Sequence, residues 1–151
     1  MQSKPLAAAA IAGLLAACSG EPTRDPDAAS TPSTSVTPSP VEVDNVAELT
    51  GDAAAGRAAF SQCRSCHTVE AGVHRVGPSL HGVAGRPIGA VADYRYSAAM
   101  GASGGQWDDQ TLFDFLNKPR DHMPGNKMSF AGIRDDQRRA DIIAYLKTET
   151  D

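Results

Sequence analysis

The feature that most constrains this chain is Cys63-Arg64-Ser65-Cys66-His67. Two thiols separated by two residues, with a histidine directly after the second, form the attachment signature of a c-type haem. Each thiol can form a thioether to one haem vinyl group, and the adjacent imidazole is then held beneath the iron as its proximal ligand. The cofactor expected is one haem c, bound covalently through Cys63 and Cys66, with His67 as a metal ligand. Two other uses of these thiols fit less well. A structural zinc site takes four ligands at looped spacings, whereas His67 abuts Cys66 and no second cysteine pair exists. A thioredoxin-like dithiol sits in strand–helix alternation, which the flanking sequence lacks.

The third and last cysteine, Cys18, closes Leu15-Ala16-Ala17-Cys18, after Lys4 and an apolar run from Pro5 to Ala17. A charged start followed by a short apolar run has the form of a bacterial export signal. The run is too short for a comfortable membrane span. Its end resembles the site at which a lipoprotein precursor is cut. Residues 1–17 are thus expected to be a lipoprotein signal peptide, with Cys18 acylated as the first residue of the mature chain. An ordinary secretory peptide would instead leave Cys18 as an exposed thiol in an oxidising compartment. The several acyl chains of a mature lipoprotein anchor firmly where one alone holds weakly. The location expected is the periplasmic side of a bacterial membrane, inner or outer, with the protein lipid-anchored.

Residues 18–47 contain Pro22, Pro26, Pro32, Pro38 and Pro40 among many Ser and Thr, with almost nothing apolar to bury. Such a segment cannot recover the entropy of folding and reads as an extended tether. At about 3.1 Å per residue, roughly thirty residues reach on the order of 90 Å at most. The acidic excess of the chain lies mostly here, where Glu21, Asp25, Asp27, Glu42 and Asp44 outnumber Arg24. From Glu48 onward, 12 basic and 13 acidic side chains nearly cancel. No basic stripe with interleaved aromatics suggests nucleic acid. Partners should be other proteins, met transiently by a monomer.

Residues 48–151 form the expected folded domain, of a size near the lower range for a core built from side chains alone. Helices are expected over about Ala53–Gln62, capped by Asp52, about Asp109–Asn117, capped by Asp108, and about Asp135–Thr148. A short helix near Ser97–Ala102 is also expected. Gly56 in mid-helix costs stability relative to alanine and is either incidental or the mark of a close crossing with another helix. Residues 68–106 are glycine-rich with no strong period, apart from a brief strand-like alternation over Val91–Tyr96. A flat cofactor explains so long an irregular stretch, because loops can fold around it. The fold class expected is all-α, with three main helices, short helices and haem-wrapping loops.

A low-spin electron-transfer haem takes a second strong axial ligand, commonly a thioether. The candidates are Met100, Met123, Met128, His74, His81 and His122. The Pro124-Gly125 turn can bring a short loop across the haem face, which favours Met128. Met123 precedes that turn and is the main competitor, and His122 would give a bis-histidine haem. Both methionines also suit core packing.

Beyond the attachment signature, Gly51 to Lys147 resembles the small class I c-type cytochromes that shuttle electrons in mitochondria and bacteria. The resemblance rests on Gly56…Phe60, Gly77-Pro78-Ser79-Leu80-His81-Gly82, Gly85-Arg86, Tyr94-x-Tyr96-Ser97 and Trp107. Leu116, Pro119, Pro124-Gly125-x-Lys127-Met128, Phe130-Ala131-Gly132-Ile133 and Ile142-Ile143-Ala144-Tyr145-Leu146-Lys147 complete it in family order. It implies that Met128 is the second axial ligand and that the Pro78 carbonyl accepts the ring hydrogen bond of His67. It also implies that Tyr96 and Trp107 donate to the inner propionate, with Arg86 as nearby charge compensation. Gly56 and Phe60 would meet Ile142 and Tyr145 at a helix crossing. Phe115 departs from the family, many members of which carry a tyrosine there. The function implied is one-electron transport, not enzymatic catalysis. The donor implied is a quinol–cytochrome c reductase, and the acceptor a terminal oxidase or photosynthetic reaction centre. A ligand-binding haem sensor, with Met128 dissociating, is the competing class. Arg64, Arg75, Lys118, Arg120 and Lys127 come from segments expected to border the haem, where they either present positive charge to acidic partners or are ordinary solvated charges.

Overall fold

The fold is built from short helices, three of which start at an aspartate cap. The structure is a computed structural model that describes residues 43–150; the expected signal peptide, Cys18 and the tether as far as residue 42 lie outside the described residues. Asp52 caps helix α1 (Ala53–Ala59) by accepting the N–H groups of Ala54 and Ala55 at 2.7 and 3.2 Å. The helix then tightens into a 3-10 turn over Phe60–Gln62, which delivers the chain directly into Cys63. Helix α2 (Ala98–Ala102) is capped by Ser97. Asp108 caps α3 (Asp109–Asn117), and its carboxylate is held below the ordinary range by the Thr111 N–H it accepts. A single turn, α4 (Pro119–His122), follows, and Asp135 caps α5 (Asp136–Thr148).

Helices α1 and α5 cross at Gly56. A Cβ placed there would lie 1.9 Å from the Asp141 carbonyl oxygen and 2.9 Å from the Tyr145 Cβ. Only hydrogen fits at that approach. One turn on, the Phe60 and Tyr145 rings meet at 5.2 Å between centroids. Phe60, Phe113 and Ile142 are buried to 2% exposure or less, and with Leu112, Leu116, Ile143 and Leu146 they form the apolar centre where α3 joins the crossing. The Arg139 guanidinium lies 4.0 Å from the Phe113 ring centroid. It also pairs with Asp136 inside the protein and donates to the Ile133 carbonyl at 2.7 Å.

The helices therefore lie where the sequence puts them, and the fold is all-α. Three features differ. Val91–Tyr96 forms no strand; the sole β-type pairing among the described residues is an isolated bridge between Pro87 and Gln106. The α4 turn was not expected, although proline at a first helical position, with φ already set, is its usual signal. Residues 43–47, grouped with the tether by composition, are packed on the domain. The Val43 N–H donates to Asp136 at 2.6 Å and the Val46 N–H to Gln110 at 3.0 Å, while Gln110 donates back to the Asp44 carbonyl. Val43, Val46 and Leu49 lean on the core. Three apolar side chains at this spacing are too few to register as a helix or strand, yet enough to seat a strap. The packed part of the chain thus begins no later than Val43.

Candidate functional site

The attachment segment is a turn built on one carbonyl. The N–H groups of Cys66 and His67 both donate to Cys63, at 3.1 and 2.9 Å, which gathers the two thiols and the imidazole at the C-terminal end of α1. The two thiols are close enough to influence each other electrostatically. Burial pushes the Cys63 thiol up to about 11, against the lowering influence of Arg138, so it is protonated at neutral pH. The His67 imidazole is shifted below its ordinary value by burial, opposed by its bond to Pro78. Both effects hold these groups uncharged.

The His67 ring is oriented by backbone. Its Nδ1 lies 2.8 Å from the Pro78 carbonyl oxygen, an acceptor, so Nδ1 carries the proton and Nε2 keeps its lone pair. Gly77 lies flat against the ring: a Cβ there would come within 2.3 Å of the His67 Cε1. The Gly77 N–H in turn donates to the Cys66 carbonyl at 2.8 Å, closing the loop onto the attachment turn.

The remaining expected residues fall into two groups. Arg86, Tyr96 and Trp107 come together. The Trp107 N–H donates to the Arg86 carbonyl at 2.9 Å, and the Arg86 guanidinium is within electrostatic range of the Tyr96 hydroxyl. Arg86 donates through Nη1 to His81 and through Nη2 to Ser79, at 2.7 and 3.1 Å. Its Nε is buried with no protein partner. A buried guanidinium N–H without an acceptor is costly, and the carboxylate of a haem propionate is an acceptor of the right charge. Together with the glycine cradle beneath His67, this makes the residues present a fit for haem c.

Met128 belongs to the second group, a loop folded around Asn126. The Asn126 side chain donates to the carbonyls of Pro119 and Met123 at 2.6 and 2.7 Å and accepts the Met128 N–H at 2.8 Å. Gly125, at φ +84°, supplies the left-handed residue of the turn. Met123 is 8% exposed and part of the core, whereas Met128 is half-buried and packs against that core. Of the other ligand candidates, His74 accepts the Ser79 N–H, His81 and Met100 are half-buried, and His122 is exposed with its ring 6.0 Å from that of Phe115. Phe115 itself is buried against Trp107 at 4.9 Å.

Two parts of the site were not legible beforehand. The Tyr94 hydroxyl donates to the Val76 carbonyl at 2.8 Å, and the buried Ser79 hydroxyl to that of Glu70 at 2.6 Å. Their partners are main-chain carbonyls, which carry no signature in a sequence. Three of the five cations expected at the rim are engaged within the protein. Arg75 donates to the Arg64 carbonyl at 3.0 Å, Lys127 to the Arg95 carbonyl at 2.8 Å, and Lys118 pairs with Asp121 at 3.3 Å.

Comparison with known proteins agrees with this geometry. Residues 53–150 match the family profile described as Cytochrome c. The chain is 49% identical over 107 residues to a cytochrome c homolog of Rickettsia bellii, covering 69% of this chain and 62% of that protein. It is 44% identical over 102 residues to cytochrome c of Nigella damascena, covering 66% and 92% respectively. Cytochrome cH from Methylobacterium extorquens superposes with a TM-score of 0.62 at 48% identity, covering 65% of this chain and 99% of that one. The chain spans about three fifths of the length of the Rickettsia relatives it matches.

Proposed function

The chain belongs to the cytochrome c family, and from that premise we propose that it carries single electrons from a quinol–cytochrome c reductase to a terminal oxidase or photosynthetic reaction centre. Haem c, when bound, supplies a reversible ferric–ferrous couple. Cys63 and Cys66 would hold it by thioethers, with His67 Nε2 and the Met128 sulfur as axial ligands. The observation that carries this reading is the 2.8 Å contact between His67 Nδ1 and the Pro78 carbonyl, which fixes the tautomer that a metal ligand needs. Burial favours the neutral imidazole, the form whose lone pair can bind a metal. Arg86, with its orphan Nε, and the neighbouring Tyr96 and Trp107 would receive the inner propionate. With His67 and Met128 both holding the metal, no reactant would need to reach it.

Sulfur-to-iron ligation gives the oxidised protein a weak charge-transfer band in the red. Met128→Ala should abolish it and Met123→Ala should keep it, as recorded on the haem-loaded variants. A band that persists in Met128→Ala defeats the assignment. We also propose that acylated Cys18 anchors the protein on the periplasmic side of a bacterial membrane. Among the described residues no helix is long and apolar enough to cross a membrane. Intact-mass measurement of the mature protein should find lipid on Cys18; an unmodified thiol there would remove the anchor.

A further inference from the structure

Between the strap, the start of α3 and α5 lies an open groove of about 1020 Å³. That is at the top of the range for small-molecule clefts and leaves room for a stretch of chain. Its apolar lining is Val46, Ala47 and Leu49 from the strap, Ile143 and Ala144 from α5, and Ala84. No residue of the attachment turn, of 67–78 or of the Met128 loop contributes to it. The strap side is fixed. The Val43 N–H is held by Asp136, the Val46 N–H by Gln110, and the Gln137 side chain donates to the Thr50 carbonyl at 2.8 Å. A wall fastened in this way removes much of the ordering cost that a docking contact would otherwise carry.

The charge around the groove is of one sign. Residues 43–56 and 97–117 contain no Lys or Arg. The strap carries Asp44 and Glu48, both exposed, while Asp108 and Asp109 stand at the start of α3 with Asp114 further along it. Lys147 is the one cation in the lining, and it is already paired with Asp109 at 2.7 Å. An occupant therefore has to bring apolar side chains to the floor and positive charge to the rim. The tether of this same chain meets neither requirement. Over residues 18–42 it has Glu21, Asp25, Asp27 and Glu42 against Arg24, and almost nothing apolar.

We propose that this groove docks a segment of a partner protein in which lysines or arginines flank an apolar stripe. The contact is separate from electron exchange: a segment seated here holds the carrier while leaving 63–78 and the Met128 loop uncovered. Apolar burial supplies affinity, and the carboxylates steer the approach and fix the orientation.

The test is an NMR titration of the haem-loaded ferrous protein with short synthetic peptides: leucine–lysine, serine–lysine of equal charge, and leucine–glutamate. The leucine–lysine peptide should move the amide signals of Val46, Ala47, Ala84 and Ala144 and leave those of 63–78 in place. The serine–lysine peptide should bind about tenfold more weakly, and the leucine–glutamate peptide should not bind. Ala47→Lys changes an exposed methyl group and should weaken leucine–lysine binding about tenfold, with the midpoint potential and optical spectrum unchanged. Asp44→Asn combined with Glu48→Gln should weaken it about threefold at low salt and little at high salt. Equal binding of the serine–lysine peptide would reduce the site to its charge and overturn the proposal. Equal affinity of wild type and Ala47→Lys, or signals moving mainly at 63–78, would overturn it as well. So would a wild-type dimer in sedimentation that Ala47→Lys dissolves, which would make the groove an interface between copies.

Discussion

The α1–α5 crossing and the loop that carries Pro78 are held together by opposite means. The crossing is a direct fit of backbone against backbone at Gly56, with Phe60, Ile142 and Tyr145 closing around it. The loop segments from 68 to 106 contain one short helix and otherwise hang on individual hydrogen bonds to main-chain carbonyls: His67 to Pro78, Arg86 to Ser79 and His81, Tyr94 to Val76. One region is a packed unit whose energy is distributed over many contacts. The other relies more on individually placed hydrogen bonds, with Val83 as its buried apolar anchor. Stability should reside in the first and the electronic properties of the site in the second.

Substitutions in the two regions can break that division. The largest effect is expected from Asp136→Ala, which leaves the Arg139 charge buried without its partner and frees the Val43 N–H of the strap. About 4 kcal/mol of unfolding free energy should be lost in denaturant titrations, with the haem spectrum unchanged. Gly56→Ala comes next. Its methyl group would collide with the Asp141 carbonyl, so the helices must part, at a cost of about 3 kcal/mol and again with no spectral change. Gly77→Ala is the same chemical change in the other region. There the methyl meets the His67 ring, a side chain that can yield by straining its bond to Pro78, so the loss should be smaller, about 1 kcal/mol. The strain should appear as a shifted midpoint potential and altered optical bands. A spectral shift in Gly56→Ala, or an unaltered spectrum in Gly77→Ala, would show that the two regions are not separable.

What was legible follows the same division. Helix starts at Asp52, Asp108 and Asp135 could be read because a cap is a local bond between a side chain and the N–H groups two or three residues on. Gly56 raised a crossing as one of two readings, because glycine in mid-helix is costly unless something needs the space. The strap was hidden because the long-range partner of the Val43 N–H, Asp136, is ninety-three positions away. The orphan Arg86 Nε and the groove beside the strap were hidden for a related reason: burial and exposure belong to the assembled fold.

The amino-acid sequence alone determined the attachment turn, the helical class and the positions of the main helices, since each depends on residues within a few positions of one another. Only the tertiary structure decided that Met123 is buried in the core while Met128 is half-buried, that the rim cations are largely tied back, and that residues 43–47 belong to the domain. Those outcomes depend on which surfaces distant segments cover, and coverage is settled by packing in three dimensions rather than by neighbours along the chain.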